Sequence, residues 1–537
     1  MAMDPRSSSV GVRGSTRPRE YGVVALLVLS VFLVYLPSLG GGFLNLDDPW
    51  LVQDNPVFRD PSRQALWLIW SDFSEKARLS LGAEYLPVRD TSVWLDAVCH
   101  GLSPGIMRLG NLVAYLMALL CLRGAFRRAL GATLAVEIAI FAFALHPVHV
   151  ESVAWLAGRK DILALLFVAL ALYVHAGASR SRPLIVTMLL VCAYLSKAQA
   201  VVAGGLLVAH DLLARRRFEP RIYAPILVTA AAFATLHAAV GRVVGMTVPP
   251  AGGSRLHAAF TLGDILTRYL GTLVWPARLS VVYDVPDRLQ LSFSGALGFA
   301  VVLAWAGIGI ALLRRRQAPV VFAGWLWFVV PLLPVSQVLF PLQNRMADRY
   351  LLFSVLAPAL LLGFAIYRAP EKLRLVALSA AVAAVFSLGL VAFERADRFG
   401  NSASLFEDAT HKTRTSQLAP FQWAGALHAE NDRAGTEAAY LEVLRRSSSA
   451  TELGRRATNN LARDYARENR LEDAERVLRA GRKLWPTDPK MLANLAIVCA
   501  RQGHGAEAEQ LMAEMRERFP NFSPRPHSPS DYYSIDR

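Results

Sequence analysis

Hydrophobic residues in this 537-residue chain fall in blocks of about 15–22 up to position 393, and then the blocks stop. Blocks of that length can cross a bilayer as helices. They predict about eleven crossings, near 21–39, 106–122, 131–146, 162–177, 183–196, 199–213, 222–240, 292–313, 319–337, 350–367 and 373–393. From about 418 the pattern changes. Asn460-Leu461-Ala462 recurs as Asn494-Leu495-Ala496, Ala474-Glu475 as Ala508-Glu509, and Pro486 as Pro520, always 34 residues on. That is the period of the tetratricopeptide repeat, a helix pair whose small residues allow close approach. Leu427 and Leu444 keep the same phase in an earlier unit. The expected fold is therefore all-α: a polytopic membrane part over 21–393, a linker over 394–417, and a repeat α-solenoid over 418–521. The polar N-terminal tail (1–20) and a Pro/Ser-rich, disordered tail (522–537) flank these parts.

Composition agrees. With 54% hydrophobic and 18% charged residues, neither a single soluble globule nor a disordered chain is expected. Four scattered cysteines (Cys99, Cys121, Cys192, Cys499) predict no disulfide framework and no zinc site. Lys+Arg number 57 against 42 Asp+Glu, a net charge of +15. In a soluble chain this would point to nucleic acid, whereas in a membrane chain it sets orientation. Short loops with Arg123/Arg127/Arg128, Arg180/Arg182, Arg215/Arg216/Arg217, Arg314/Arg315/Arg316 and Arg368/Lys372/Arg374 alternate with longer, less basic ones. The basic set, with the N-terminal tail, is expected to be cytoplasmic, and no nucleic-acid partner is expected. The other set is expected to face a periplasm or an equivalent lumen, in a bacterial inner membrane or its counterpart: 40–105, 147–161, the Ser196-Lys197 junction, 241–291, 338–349 and everything after 393. The first helix is expected to stay uncleaved, and 262–279, with Asp264, Arg268 and Pro276, to be re-entrant or interfacial.

The dense polar clusters all fall on that expected outer side. Asn45-Leu46-Asp47-Asp48-Pro49 places two carboxylates together at the membrane edge. Such a pair serves as a general base with an orienting or metal-binding neighbour, or simply as a turn. In Glu84-Tyr85-Leu86-Pro87-Val88-Arg89-Asp90, Arg89 can meet a phosphate or Asp90. His146-Pro147-Val148-His149-Val150-Glu151 could offer a divalent metal two imidazoles and a carboxylate, although Pro147 separates the histidines. Arg159-Lys160 suits a lipid phosphate or snorkels. Lys197, between two apolar blocks, is costly there unless it reaches water or an anion. Arg349 can clamp a phosphate or anchor the helix beside Tyr350. The chain has no G-x-x-x-x-G-K-[ST] motif, so the energy for a reaction is expected to come with the substrate.

In this order, the clusters resemble the transmembrane and tetratricopeptide-repeat O-mannosyltransferases and their bacterial relatives. These belong to the GT-C class of polyprenyl-phosphate-sugar-dependent glycosyltransferases. The matching stretches are Leu46-Asp47-Asp48 with Asn55-Pro56; Tyr85 to Arg89; Phe143 to Ala154; Gly158-Arg159-Lys160-Asp161; Leu195-Ser196-Lys197; Trp275-Pro276 to Tyr283; and Met346 to Tyr350. The resemblance implies sugar transfer from a lipid phosphate to an acceptor hydroxyl, on a protein or peptide or on another acceptor, with inversion. Asp47 would be the general base and Asp48 its orienting partner. Arg349, Lys197, Arg159 and Arg89 would hold the donor phosphate. His146, His149, Glu151, Tyr85 and Tyr283 would line the cavity. One departure is Ser196-Lys197-Ala198, where the family often has a carboxylate after the lysine. A non-catalytic scaffold recruiting envelope partners through its repeats is the alternative, and a lipid transporter a third reading.

Overall fold

The computed structural model describes residues 16–245, 248–446 and 450–522, with side chains from Glu20 onward. The expected N-terminal tail up to residue 15 and the expected disordered tail from 523 lie outside the described residues. Among those described there is no strand. The chain is an α-helical protein with membrane-length helices and C-terminal repeats, and it divides into two units.

The first unit comprises the described residues of 1–42, 48–279 and 287–400. It opens with α1 (Thr16–Leu39), so residues 16–20 join the first helix instead of the tail. The first long polar segment then folds as a π-turn over Pro49–Gln53 and four helices: α2 (Pro56–Arg59), α3 (Arg63–Ser71), α4 (Glu75–Ser80) and α5 (Pro87–His100). Side chains start three of them, because Asn55, Ser62 and Ser74 accept hydrogen bonds from first-turn N–H groups. Gly101, at φ 71°, ends α5 in the left-handed conformation that favours glycine.

The bundle continues with α6 (Pro104–Leu130), α7 (Leu134–Ala144), α8 (Val150–Ala154), α9 (Arg159–His175), α10 (Arg182–Tyr194), α11 (Ala203–Leu213) and α12 (Pro220–Val244). It closes with α13 (Arg255–Val274), α14 (Phe293–Arg314), α15 (Pro319–Val329), α16 (Leu356–Arg368) and α17 (Glu371–Arg398). The core runs along α6, which packs against α9; its Tyr115, Leu119 and Phe126 are fully buried, Tyr115 against Tyr35 of α1 and Phe126 against Trp327 of α15. Side chains on the outward faces of α12, α14 and α17 stay exposed and apolar, among them Leu227, Leu303, Phe293, Val376 and Phe386. Bare apolar faces of this extent match a lipid environment.

Among the described residues, five helices are long and apolar enough to cross a membrane: α1 from Glu20, α6, α12, α14 and α17. α7 and the Pro147–Ala154 segment, bent by 43° to one another across the break before Pro147, pass the same test only when taken together as one span. Other expected crossings are shorter helices that give way to 3-10 turns, over Ala198–Val202, Val330–Val335 and Asp348–Leu351. The expected re-entrant segment 262–279 lies in α13, which starts earlier, behind the Ser254 cap, and stops before Pro276.

The second unit comprises 43–47, 280–286 and the described residues of 401–537. Its helices are α18 (Ser402–Lys412), α19 (Leu418–Ala429), α20 (Arg433–Arg445), α21 (Glu452–Arg467), α22 (Leu471–Leu484), α23 (Pro489–Arg501) and α24 (Gly505–Arg518). α19 to α24 form the three expected helix pairs. The expected linker 394–417 is largely helical, taken up by the end of α17 and by α18. Small residues bring the pairs together: a Cβ on Gly481 would meet Thr458 Cγ2 at 2.6 Å and Met491 Sδ at 2.9 Å. Asp284 holds the start of the array, accepting from the backbone N–H groups of Arg414 (2.6 Å), Thr415 (3.0 Å) and Ser416 (2.8 Å).

A close approach of two helices in the first unit generates a matched prediction. A Cβ on Gly298 of α14 would sit 2.5 Å from Gly263 O of α13, whereas Gly307 of the same helix has nothing within 4 Å. Gly298→Ala should destabilise by about 1–3 kcal/mol through overpacking. Gly307→Ala should be neutral or slightly stabilising. Thermal unfolding of the purified protein in detergent checks both, and equal behaviour of the two variants would contradict the packing.

Candidate functional site

The breaks in the short helices meet. The turn at Pro147–His149 lies against Asp348–Leu351, which lies against Val330–Val335, which in turn lies against Ala198–Val202; α8 packs on the first two. Freed backbone carbonyls in the apolar interior need donors, and side chains of neighbouring elements supply them. Arg108 of α6 donates Nε to Ala154 O (2.8 Å) and Nη2 to Gly42 O (2.5 Å). Asn111 donates to Val153 O (3.4 Å) and Trp155 O (3.3 Å). Gln199 donates to Pro331 O (2.8 Å) and Tyr350 O (3.1 Å).

Charged side chains gather on this scaffold. Glu151 accepts the backbone N–H of Arg349 at 2.9 Å and also pairs with its guanidinium. That guanidinium lies 5.5 Å from the Trp155 ring and 5.3 Å from the Tyr350 ring. Lys197 pairs with Asp161 and stands 6.0 Å from the Tyr350 ring. Two cations, each with a carboxylate partner, thus stand near the Tyr350 ring. Lys160 extends the network to Glu84 (2.8 Å), which also meets Arg89 (3.4 Å). Burial works against the charge of Glu84, but Lys160 and Arg89 hold its carboxyl down at about 2. Burial pushes Asp90 up to about 6 in spite of its contact with Arg89.

The structure brings Lys197, Arg349 and Glu151 together. The other expected site residues have different surroundings. Arg159 is satisfied within the fold: Nε donates to Asn111 Oδ1 (2.8 Å), Nη2 to Met107 O (2.7 Å), and Nη1 pairs with Asp96. It ties the start of α9 to α5 and α6. Arg89 is occupied by Asp90, by Leu81 O (2.7 Å) and by Glu84. Asp48 is fully buried and accepts the N–H of Ala157 at 3.2 Å. His146 caps its own turn through Nδ1 and reaches Leu273 O through Nε2 (3.3 Å). His149 packs between Phe143 and Tyr115. Glu151 is committed to Arg349, and among the described residues the donor atoms of His146, His149 and Glu151 do not converge as a metal-ligand group. Tyr85 donates its hydroxyl to Trp70 O (3.0 Å) within the α3–α5 layer. Asp47 and Tyr283 belong to the second unit, where Asp47 is half-buried and the Tyr283 hydroxyl accepts from Ser280 N (3.0 Å).

Sequence reasoning did not single out Asp161, Glu84, Asp96 or Asn111. Asp161 stands beside Lys160 within a quoted stretch. Arg108 and Asn111, three apart in a membrane-length helix, were a readable signal that one face of α6 meets polar groups.

Comparison with known proteins adds two findings. Residues 465–528 match the tetratricopeptide repeat family. The chain is also similar to the protein O-mannosyl-transferase TMTC1 of Mus musculus, with 31% identity over 224 residues, 37% of this chain and 23% of that protein. Against TMTC1 of Homo sapiens the identity is 32% over 158 residues, 28% of this chain and 17% of that one. A protein O-mannosyl-transferase of Caenorhabditis elegans is 29% identical over 222 residues, 40% of this chain and 31% of that protein. Each match thus spans less than a third of the relative's length. Among solved structures, the archaeal oligosaccharyltransferase of Archaeoglobus fulgidus, in complex with an inhibitory peptide and a dolichol-phosphate, aligns at 15% identity. Its TM-score is 0.40, over 78% of this chain and 60% of that one.

The Glu84 network makes a pH prediction. A carboxyl whose folded pKa is depressed contributes stability that is present above its unfolded pKa and is lost as pH falls through the folded one. For Glu84 that window runs from 4.5 down to about 2. Glu84→Gln should flatten the acid limb of the stability profile there, measured by thermal unfolding against pH. An acid limb unchanged from wild type would contradict the assignment.

Proposed function

We propose that the chain is a membrane glycosyltransferase that moves a sugar from a polyprenyl-phosphate donor to a protein Ser/Thr hydroxyl, with inversion, on the non-cytoplasmic face. The observation that carries this reading is the pair Lys197 and Arg349 beside Tyr350, each nearly buried and each balanced by a carboxylate. The donor's phosphodiester carries one negative charge, and the departing lipid phosphomonoester carries two. Cations fixed before the reaction stabilise the charge as it grows. Similarity of part of the chain to protein O-mannosyl-transferases supports the same chemistry.

In the proposed reaction the Asp47 carboxylate takes the acceptor's proton and the freed oxygen attacks the anomeric carbon. The bond from that carbon to the phosphate oxygen breaks, and its electron pair leaves on the phosphate beside Arg349 and Lys197. Asp48, which accepts the Ala157 N–H, is the proposed orienting partner of the base. Arg159 and Arg89 act as positioning residues, since their donors are already used. His146, His149 and Tyr85 brace the surrounding turns and layer. The repeats are proposed to receive the acceptor polypeptide.

The test is sugar transfer in membranes, with polyprenyl-phosphate mannose as donor probe and a Ser/Thr peptide as acceptor. Arg349→Ala and Asp47→Asn should each lower the rate by about 100-fold or more, with Lys197→Ala close behind. Wild-type rates in all three, in protein that still elutes as a single species, would leave a non-catalytic scaffold as the reading.

A further inference from the structure

A second buried polar cluster stands away from this site. His175 ends α9, 16 residues or about 24 Å along the helix from Arg159. His210 and Asp211 come from α11 and Tyr223 from α12. Both histidines are essentially inaccessible, at 1% and 0% exposure, and Asp211 is at 7%. One ligand atom from each of His175, His210 and Asp211 lies within 4.8 Å of the other two.

Hydrogen bonding leaves this cluster incomplete. His175 Nε2 is 2.6 Å from Asp211 Oδ1, the Tyr223 hydroxyl donates to Asp211 Oδ2 at 2.6 Å, and His210 Nε2 is 3.4 Å from Ala125 O. The Nδ1 atoms of both His175 and His210 are buried without a hydrogen-bond partner. Nearby Arg216 gives its guanidinium to the backbone, donating to His175 O and Ala176 O at 2.5 Å each. Buried polar atoms are rarely left unsatisfied, and two unpaired imidazole nitrogens beside a carboxylate in an apolar bundle call for a ligand.

We propose that His175, His210 and Asp211 bind a divalent transition-metal ion of the zinc class. Two imidazole nitrogens and one carboxylate oxygen are the donor set such ions prefer, with a water or the Tyr223 oxygen as the fourth ligand. Bonds of about 2.0–2.2 Å place tetrahedral ligands about 3.4 Å apart, so ligand atoms now as far as 4.8 Å apart would close by up to about 1.4 Å. Tyr223, bonded to the second oxygen of Asp211, orients that ligand as an outer partner does. The ion would join α9, α11 and α12 at a distance from the Lys197–Arg349 pair, in a structural role independent of the proposed transfer.

The experiment uses the full chain, purified in detergent and stripped with chelator. Cobalt(II) titration should give tetrahedral d–d absorption at about one ion per chain, and added zinc should raise the thermal midpoint. His175→Ala and His210→Gln should each weaken cobalt binding at least about tenfold, while Asp47→Asn leaves it unchanged. Zinc-edge X-ray absorption on the wild type should fit two imidazoles, a readout that stands even where a variant fails to fold. The proposal is overturned by absence of stoichiometric binding, by wild-type binding in both histidine variants, or by a zinc shell without two imidazoles.

Discussion

The arrangement around the candidate site depends on one ion pair. Glu151 takes both the backbone N–H and the guanidinium of Arg349, so a single carboxylate fixes the turn before α16 against α8. The two residues are 198 positions apart in the chain, and both are largely shielded from water. Breaking a buried pair by removing one partner typically costs about 3–5 kcal/mol, because the remaining charge is stranded. The same rule organises the neighbours. Lys197 stands against Asp161, Lys160 against Glu84, and Arg395 against Asp348 at 2.5 Å. An apolar bundle tolerates this many charges only when each one is met, by an opposite charge as here or by backbone carbonyls as at Arg108.

Those pairs are possible because the helices stop early. α7, α11, α15 and α16 are 11 to 13 residues long, and where they end the backbone goes on as 3-10 turns or bends. Turns inside an apolar bundle expose carbonyls that would otherwise be unpaired, and Arg108, Asn111 and Gln199 satisfy them. The polar clusters of the sequence and the breaks in the helices are therefore one feature. Each cluster marks a place where the chain leaves helical geometry and is held by side chains from elsewhere.

Much of this was legible beforehand. The 34-residue period placed the repeats, because each unit must present the same small and apolar residues to its neighbour. The apolar blocks located the helices, and quoted motifs contained Lys197, Arg349, Glu151 and Asp161. Partner choice was not legible. Nothing in the local sequence says that Arg159 turns to Asp96 and Asn111, since those partners come from other helices. Spacing made His146 and His149 plausible co-ligands, but Pro147 starts a turn that sends His149 between two aromatic rings. His175 and His210, 35 positions apart within apolar blocks, gave no motif at all and converge only through packing. The stretch after 393 lacks a long apolar run, yet it holds helix α18 because Asn401 caps it and Leu405 and Phe406 are buried.

The unequal helix lengths also bear on how a ligand arrives. A helix of 11 residues rises about 17 Å, well short of the roughly 30 Å hydrocarbon layer, whereas the 27 residues of α6 rise about 40 Å. Lys197 and Arg349 stand at breaks beside such short helices and not at the ends of membrane-length ones. On the proposed function, the lipid-linked donor would present its phosphate there by sideways diffusion within one leaflet, keeping its tail in hydrocarbon. Its effective concentration would then be a mole fraction of the leaflet and not a molarity in water, so occupancy would follow membrane composition.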